Sequence, residues 1–124
     1  MSVRVLIVDD QPPFRAAASA VVEMSDGFEV VGEADTGEAS VALARELRPD
    51  LVLMDVNLPG IDGLEATRRI LRESRTVVVL LLSTYEADDY AARAEECGAA
   101  AFIPKSEFLP ERLAGAWAAG AARR

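Results

Sequence analysis

The chain has 124 residues, 51% of them hydrophobic and 27% charged, which is typical of a single globular domain that buries a core. Its 13 Lys and Arg against 21 Asp and Glu give a formal net charge of −8, which disfavours direct binding of nucleic acid or of an anionic membrane by this segment. The sequence has one cysteine, Cys97, and no histidine, which excludes an intramolecular disulfide and a Cys/His zinc site. We expect a cytoplasmic protein because neither a signal sequence nor a membrane-spanning stretch is present.

Five apolar runs of strand length occur along the chain, and a segment of helical character follows each of them. The runs are Val3–Val8, Phe28–Gly32, Leu51–Met54, Val77–Leu82 and Ala100–Ile103. The first, third and fourth are apolar without alternation, which indicates strands that are covered on both faces. The repeated strand and helix predict an α/β fold with a parallel sheet between two layers of helices.

Two helices are predicted from their apolar periodicity. The segment Gln11–Met24 ends at Ser25-Asp26-Gly27, and the apolar residues on one of its sides are Phe14, Ala17, Ala18, Val21 and Val22. The next helix begins after Thr36 as N-cap and ends before Pro49. Its inward-facing residues are predicted to be Ala39, Ala42, Leu43 and Leu47.

Three more helices follow in the sequence. Asp62 is the predicted N-cap of a helix that carries Leu64, Ile70 and Leu71. The segment Glu86–Glu96, ended by Gly98, holds mostly Ala and acids, so it is either a weakly held element that shifts or an Ala-rich surface helix. The last segment, Glu107–Ala121, has apolar residues at helical spacing, namely Leu109, Leu113, Ala116 and Trp117.

Polar residues follow the ends of four predicted strands. Asp9 and Asp10 follow the first, Asp55 the third, Ser83 and Thr84 the fourth, and Lys105 the fifth. Ligands of open α/β sheets bind at the carboxyl ends of the strands, so we expect these side chains to form one site. Clustered carboxylates repel one another unless they share a proton or a cation, and Mg²⁺, which prefers oxygen ligands, is the natural candidate.

This ordered set resembles the receiver domain of two-component response regulators. The residues that carry the resemblance are Asp9-Asp10, Met54-Asp55-Val56-Asn57-Leu58-Pro59-Gly60, Ser83-Thr84 and Pro104-Lys105. It covers essentially the whole chain and implies one receiver domain over residues 1–124, with no output domain in this chain. The implied fold is flavodoxin-like and doubly wound, a five-stranded parallel sheet of order 2-1-3-4-5 with five helices.

The resemblance also implies a role for each site residue. Asp55 would accept a phosphoryl group from a phosphohistidine, and Lys105 and Ser83, or Thr84 in its place, would contact the phosphoryl oxygens. Mg²⁺ would be held by Asp10, Asp55 and the backbone carbonyl of Asn57, with Asp9 acting through water.

Further features of the family match this chain less closely. Many receivers have proline after the lysine, whereas Ser106 follows Lys105 here, so the cis or trans state of this peptide is open. The switching aromatic of the family corresponds to Phe102, for which a plain core role is the alternative. Asn57 and Tyr85 occupy the positions that tune phosphoryl lifetime in the family, and a bulky Tyr85 would shield the acyl phosphate from water.

The chain is most similar to receivers of the NarL/LuxR subfamily. The similar segments are Asp10-Gln11-Pro12-Pro13-Phe14-Arg15, Phe28-Glu29-Val30-Val31-Gly32-Glu33-Ala34 and Leu82-Ser83-Thr84-Tyr85. The resemblance implies a sensor histidine kinase as partner and control of transcription through a C-terminal helix-turn-helix domain absent here. A stand-alone receiver acting by protein–protein interaction is the alternative.

The apolar residues of the last helix are predicted to be part of the core. The alternative is that these residues and the first helix form an association face through which two copies of the chain make a homodimer.

Two other functions fit the sequence less well than that of a receiver. A Mg²⁺-dependent phosphohydrolase would need a second acid soon after its nucleophile, yet Asn57 stands two positions after Asp55. A flavin-binding domain of similar topology would need a phosphate-binding loop after the first strand, where Asp9 and Asp10 would repel a phosphate.

Overall fold

A computed structural model describes residues 2–84 and 91–123 and contains a parallel sheet with helices on both faces. The strands are β1 Val3–Val8, β2 Phe28–Ala34, β3 Leu51–Asp55, β4 Val78–Ser83 and β5 Ala101–Pro104. The helices are α1 Pro12–Glu23, α2 Gly37–Leu47, α3 Gly63–Glu73, α4 Ala91–Cys97 and α5 Pro110–Ala121, with a short 3-10 helix at Lys105–Glu107. The strand order 2-1-3-4-5 confirms the predicted flavodoxin-like fold.

The sheet separates two apolar layers. On one face Leu6 and Val8 of β1 pack with residues of α2, α3 and α4, and on the other face Val5 and Ile7 pack with residues of α1 and α5. Neighbouring residues of a strand point to opposite faces, so a strand that is buried on both sides must be apolar at every position. This explains the unbroken apolar runs within these strands, residues 5–8 of β1, 51–54 of β3 and 78–82 of β4.

The predicted helix boundaries are largely confirmed by their caps. The hydroxyl of Thr36 accepts a hydrogen bond from the Ala39 N–H, and the carboxylate of Asp62 accepts one from the Glu65 N–H. Gly98 adopts φ +95 directly after α4, as expected of a glycine that ends a helix. The predicted segment Glu86–Glu96 is observed from Ala91 onward; its earlier part and Tyr85 lie outside the described residues.

Four predictions of helix geometry were wrong. Ala17 and Ala42 are exposed. Ala42 comes two positions, or about 200° of helix rotation, after Ser40, which is fully buried, and Ala17 lies about 100° away from the buried Ala18. The last helix begins at Pro110 rather than Glu107, since proline favours the first position of a helix. Leu109 therefore caps α5 and is 61% exposed instead of facing the core.

No helix in the described part of the chain is both long enough and apolar enough to cross a membrane.

Candidate functional site

The strand register brings the predicted site residues to one edge of the sheet. Val8 pairs with Met54, Asp55 with Leu82, and Ser83 with Pro104. Residues at these pairs, or directly after them, therefore lie at the same level of four adjacent strands, β1, β3, β4 and β5. Backbone hydrogen bonds extend this order past the strands, because the Val56 N–H donates to the Leu82 carbonyl at 3.0 Å.

Three carboxylates meet at this edge. One oxygen each of Asp9, Asp10 and Asp55 lies within 4.8 Å of the others. Asp9 and Asp55 are only 1% and 3% exposed, whereas Asp10 is exposed. The Gln11 N–H donates to Asp9 Oδ1 at 2.8 Å, and the Asn57 N–H donates to Asp55 Oδ1 at 3.2 Å. Backbone donors thus fix the two buried carboxylates.

Lys105 enters the acid cluster from the end of β5. Its Nζ lies 2.7 Å from Asp9 Oδ2 and 3.6 Å from Asp55 Oδ1, and its side chain is 11% exposed. The ammonium group therefore lies closer to Asp9 than to Asp55. The peptide that joins Lys105 to Ser106 is trans, which settles the geometry that the sequence left open.

Burial dominates the protonation of Asp55. Desolvation and the neighbouring charge of Asp9 raise the pKa of Asp55 to about 6, although Lys105 and the Asn57 N–H act in the opposite direction. The charge of Lys105 offsets part of the repulsion but not all of it. The cluster thus favours a further cation beside Asp55.

The donor set fits a hard divalent metal ion. It consists of carboxylate oxygens, and the buried Asp9 Oδ2 has no hydrogen-bonding partner in the described structure, with the ammonium group of Lys105 beside it as an ion pair. Asp10 contributes an exposed carboxylate, so the cluster is open to solvent on that side. Oxygen ligands with room for water are what hard cations such as Mg²⁺ require. An acidic cluster of this kind is typical of the metal site of receiver domains.

The two candidate hydroxyl residues differ in burial. Ser83 ends β4 and is fully buried, whereas Thr84 is exposed. Phe102 of β5 is 9% exposed and packs in the apolar layer beneath α2, α3 and α4. Asn57 is exposed beside Asp55. The roles of these residues, including the Asn57 carbonyl as a metal ligand, stay predictions.

Three residues that sequence reasoning did not assign to the site contact it. The ring centroid of Phe14 lies 4.4 Å from Lys105 Nζ, and Arg15 Nη1 donates to the Asp9 carbonyl at 2.7 Å. Gly63 lies so close to the Asp55 carbonyl that a Cβ would overlap it. The position of Phe14 and Arg15 in the first helical turn after Asp9-Asp10 was the available signal.

Comparison with known proteins agrees with this geometry. Residues 5–116 match the family described as the response regulator receiver domain. The chain is 44% identical over 111 residues to the response regulator GacA of Pseudomonas viridiflava, and 38% identical over 109 residues to the transcriptional regulatory protein LiaR of Bacillus subtilis. These alignments cover 90% and 88% of this chain and 52% of each relative, so the chain spans about half the length of these curated relatives.

A solved structure gives the same result. A two-component response regulator of the LuxR family from Aurantimonas superposes with a TM-score of 0.90 at 35% identity, over 100% of this chain and 88% of that one. The chain belongs to the response regulator receiver domain family, a class of phosphoacceptor signalling domains, and its relatives include LuxR-family regulators. Both the predicted family and its predicted subfamily are confirmed.

Proposed function

We propose that this chain is a phosphorylation-controlled switch in which Asp55 accepts a phosphoryl group from a sensor histidine kinase. The observation that carries the proposal is the meeting of Asp9, Asp10 and Asp55 around the ammonium group of Lys105. Membership of the receiver family supports a histidine kinase as the partner.

The transfer follows from the chemistry of a carboxylate nucleophile. A carboxylate oxygen of Asp55 forms a bond to phosphorus as the bond from phosphorus to the histidine nitrogen breaks. The bonding electrons stay on the imidazole, and Asp55 becomes an acyl phosphate. Positioning and neutralisation of charge on the phosphoryl oxygens supply most of the catalysis in such reactions.

We assign that neutralisation to Lys105 and to Mg²⁺ held at the acid cluster. Mg²⁺, when bound by Asp10, Asp55 and the Asn57 carbonyl with Asp9 acting through water, would supply positive charge to the phosphoryl oxygens. Lys105 supplies a fixed cation from β5, and the burial of Ser83 makes it a better placed hydroxyl donor than Thr84.

Phosphorylation would act by biasing two conformations of the domain. Ser83 and Phe102 are our candidates for the residues that carry the conformational change from the site toward β5 and the adjacent helices.

The output is proposed to be transcription through a C-terminal helix-turn-helix domain outside this chain. The description of LiaR as a transcriptional regulatory protein, and its length of about twice the matched segment, support this output. A stand-alone receiver that acts through protein–protein contacts is the alternative, and the full reading frame of the gene distinguishes the two.

Incubation with acetyl phosphate and Mg²⁺ tests the proposal. We expect intact-mass analysis to find one added phosphoryl group, lost on treatment with hydroxylamine, because an acyl phosphate is cleaved by that nucleophile and a serine phosphate is not. The absence of an adduct under conditions that phosphorylate a known receiver would contradict the proposal.

A further inference from the structure

The ammonium group of Lys105 is enclosed on three sides. Two of them are the carboxylates of Asp9 and Asp55, at 2.7 and 3.6 Å, and the third is the ring of Phe14, whose centroid lies 4.4 Å from Nζ. A cation at this distance from an aromatic face is attracted by the ring quadrupole. The side chain as a whole is 11% exposed.

The ring is carried by the first turn of α1, which is tied to the residues that follow β1. The Phe14 N–H donates to the Gln11 carbonyl at 3.1 Å, and Pro12 and Pro13 open the helix. Arg15, the next residue, ties the same turn to β1 through its bond to the Asp9 carbonyl. Phe14 is half-buried at the margin of the layer beneath α1 and α5. The backbone that carries the ring is therefore fixed relative to Asp9, and the ring packs between this layer and Lys105.

We propose that Phe14 is a positioning residue for Lys105. By covering one side of the ammonium group, the ring keeps a flexible lysine side chain directed at Asp9 and Asp55 instead of at solvent, so that its charge is in place when a phosphoryl group arrives. An aliphatic residue of similar volume would fill the space without attracting the cation. The inference deepens the proposed function and rests on it for its kinetic consequence.

Lys105 is the only lysine in the sequence, which gives a direct probe of the contact. Protein grown with ¹³C-labelled lysine yields a single side-chain Cε signal, whose attached protons are shifted by the ring current of a facing aromatic. We expect Phe14→Leu to move this signal toward that of an unstacked lysine. The matched control is Phe28→Leu, which removes another half-buried ring, one that packs edge-on against Trp117 with centroids 6.5 Å apart. That control is expected to leave the signal in place.

The kinetic consequence is read from the initial rate of phosphorylation by acetyl phosphate with Mg²⁺. We expect Phe14→Leu to slow it by about three- to tenfold and Phe14→Trp, which keeps an aromatic face, to stay within about twofold of the parent. Urea unfolding of each variant checks the fold, and Phe14→Met is the second aliphatic variant if Phe14→Leu does not fold.

A parental rate in Phe14→Leu, or equal slowing in Phe14→Leu and Phe14→Trp, would overturn the proposal, since the ring would then act through its volume or not at all. If the parent itself accepts no phosphoryl group, the proposed function fails. The lysine signal, measured without any phosphoryl donor, then decides the positioning role by itself: an unchanged signal in Phe14→Leu overturns it.

Discussion

Asp55 is 3% exposed, lies beside the carboxylates of Asp9 and Asp10, and has a pKa raised from 3.8 to about 6. The folded state therefore binds the proton of Asp55 more tightly than the unfolded state does. The resulting contribution to stability is fully present below pH 3.8 and is lost as pH rises through about 6. At neutral pH the ionised Asp55 destabilises the metal-free domain.

Asp55→Asn is accordingly expected to stabilise the metal-free protein at neutral pH, by on the order of 2–3 kcal/mol in the free energy of unfolding. The gain should shrink as pH falls from about 6 toward 3.8, where the parental carboxylate becomes protonated. Urea unfolding at several pH values in the presence of a chelator measures it. Asp35→Asn, which removes an exposed acid at the same edge of the sheet, is the control and should show little gain. A destabilised Asp55→Asn variant at neutral pH would contradict the account.

The exposed carboxylate of Asp10 is expected to contribute strongly to metal binding. We expect Asp10→Ala to weaken Mg²⁺ binding by about tenfold or more, since removal of one charged oxygen ligand lowers the affinity of a carboxylate site. Isothermal titration calorimetry measures the affinity. Asp35→Ala changes the net charge equally without touching the cluster, so equal weakening in both variants would mean that the total charge, and not a defined site, controls binding.

The start of α3 makes a close backbone contact with the end of β3, the strand that carries Asp55. The Gly63 N–H donates to the Val56 carbonyl at 2.9 Å, and a Cβ on Gly63 would overlap the Asp55 carbonyl. The overlap is with backbone, which cannot rotate away as a flexible side chain can. Gly63 therefore allows α3 to begin directly against the end of β3.

Gly63→Ala is expected to destabilise the domain by roughly 1–3 kcal/mol, because the backbone of β3 or α3 must shift to admit the methyl group. Gly115→Ala in α5 is the matched control: no atom of the described residues lies within 4 Å of its added Cβ, and alanine should stabilise the helix by about 0.5–1 kcal/mol. Urea unfolding compares the two. Equal effects of the two substitutions would show that the close approach at Gly63 has no energetic weight.

The boundaries of the helices could be predicted where bonds between residues close in the sequence determine them. Thr36 and Asp62 cap helices as expected because an N-cap bond joins residues three positions apart. Ala17 and Ala42 were placed wrongly because alanine reports weakly on which side of a helix is buried. The contact of Phe14 with Lys105 joins residues from opposite ends of the chain. The apolar periodicity places Phe14 on the inward side of α1, but it does not show which residue of another element lies against the ring.

For the whole molecule, the topology predicted from the sequence was enough to indicate where the site lies. Parallel strands bring their carboxyl ends to one edge, so Asp9, Asp55 and Lys105 could be expected to meet there. The sequence could not predict that Lys105 lies closer to Asp9 than to Asp55, because such distances depend on packing and charge balance in the finished fold.

The net charge of −8 leads to a prediction for the entire chain. We expect no binding of duplex DNA at physiological ionic strength, with or without phosphorylation, because phosphate backbones are attracted by clustered basic residues and this chain is acidic. A gel-shift assay, with a basic DNA-binding protein as positive control, measures this. Salt-dependent binding by the isolated chain would contradict it and would place the output within this segment.

Whether Asp55 is the phosphoryl acceptor is decided by the position of the modified residue in the sequence. After reaction with acetyl phosphate and Mg²⁺, borohydride reduction converts an aspartyl phosphate to homoserine, and peptide mass mapping identifies its position. We expect homoserine at position 55 in the parent and no phosphoryl adduct in Asp55→Asn. Homoserine at another position in the parent, or a phosphoryl adduct on Asp55→Asn equal to that of the parent, would contradict it.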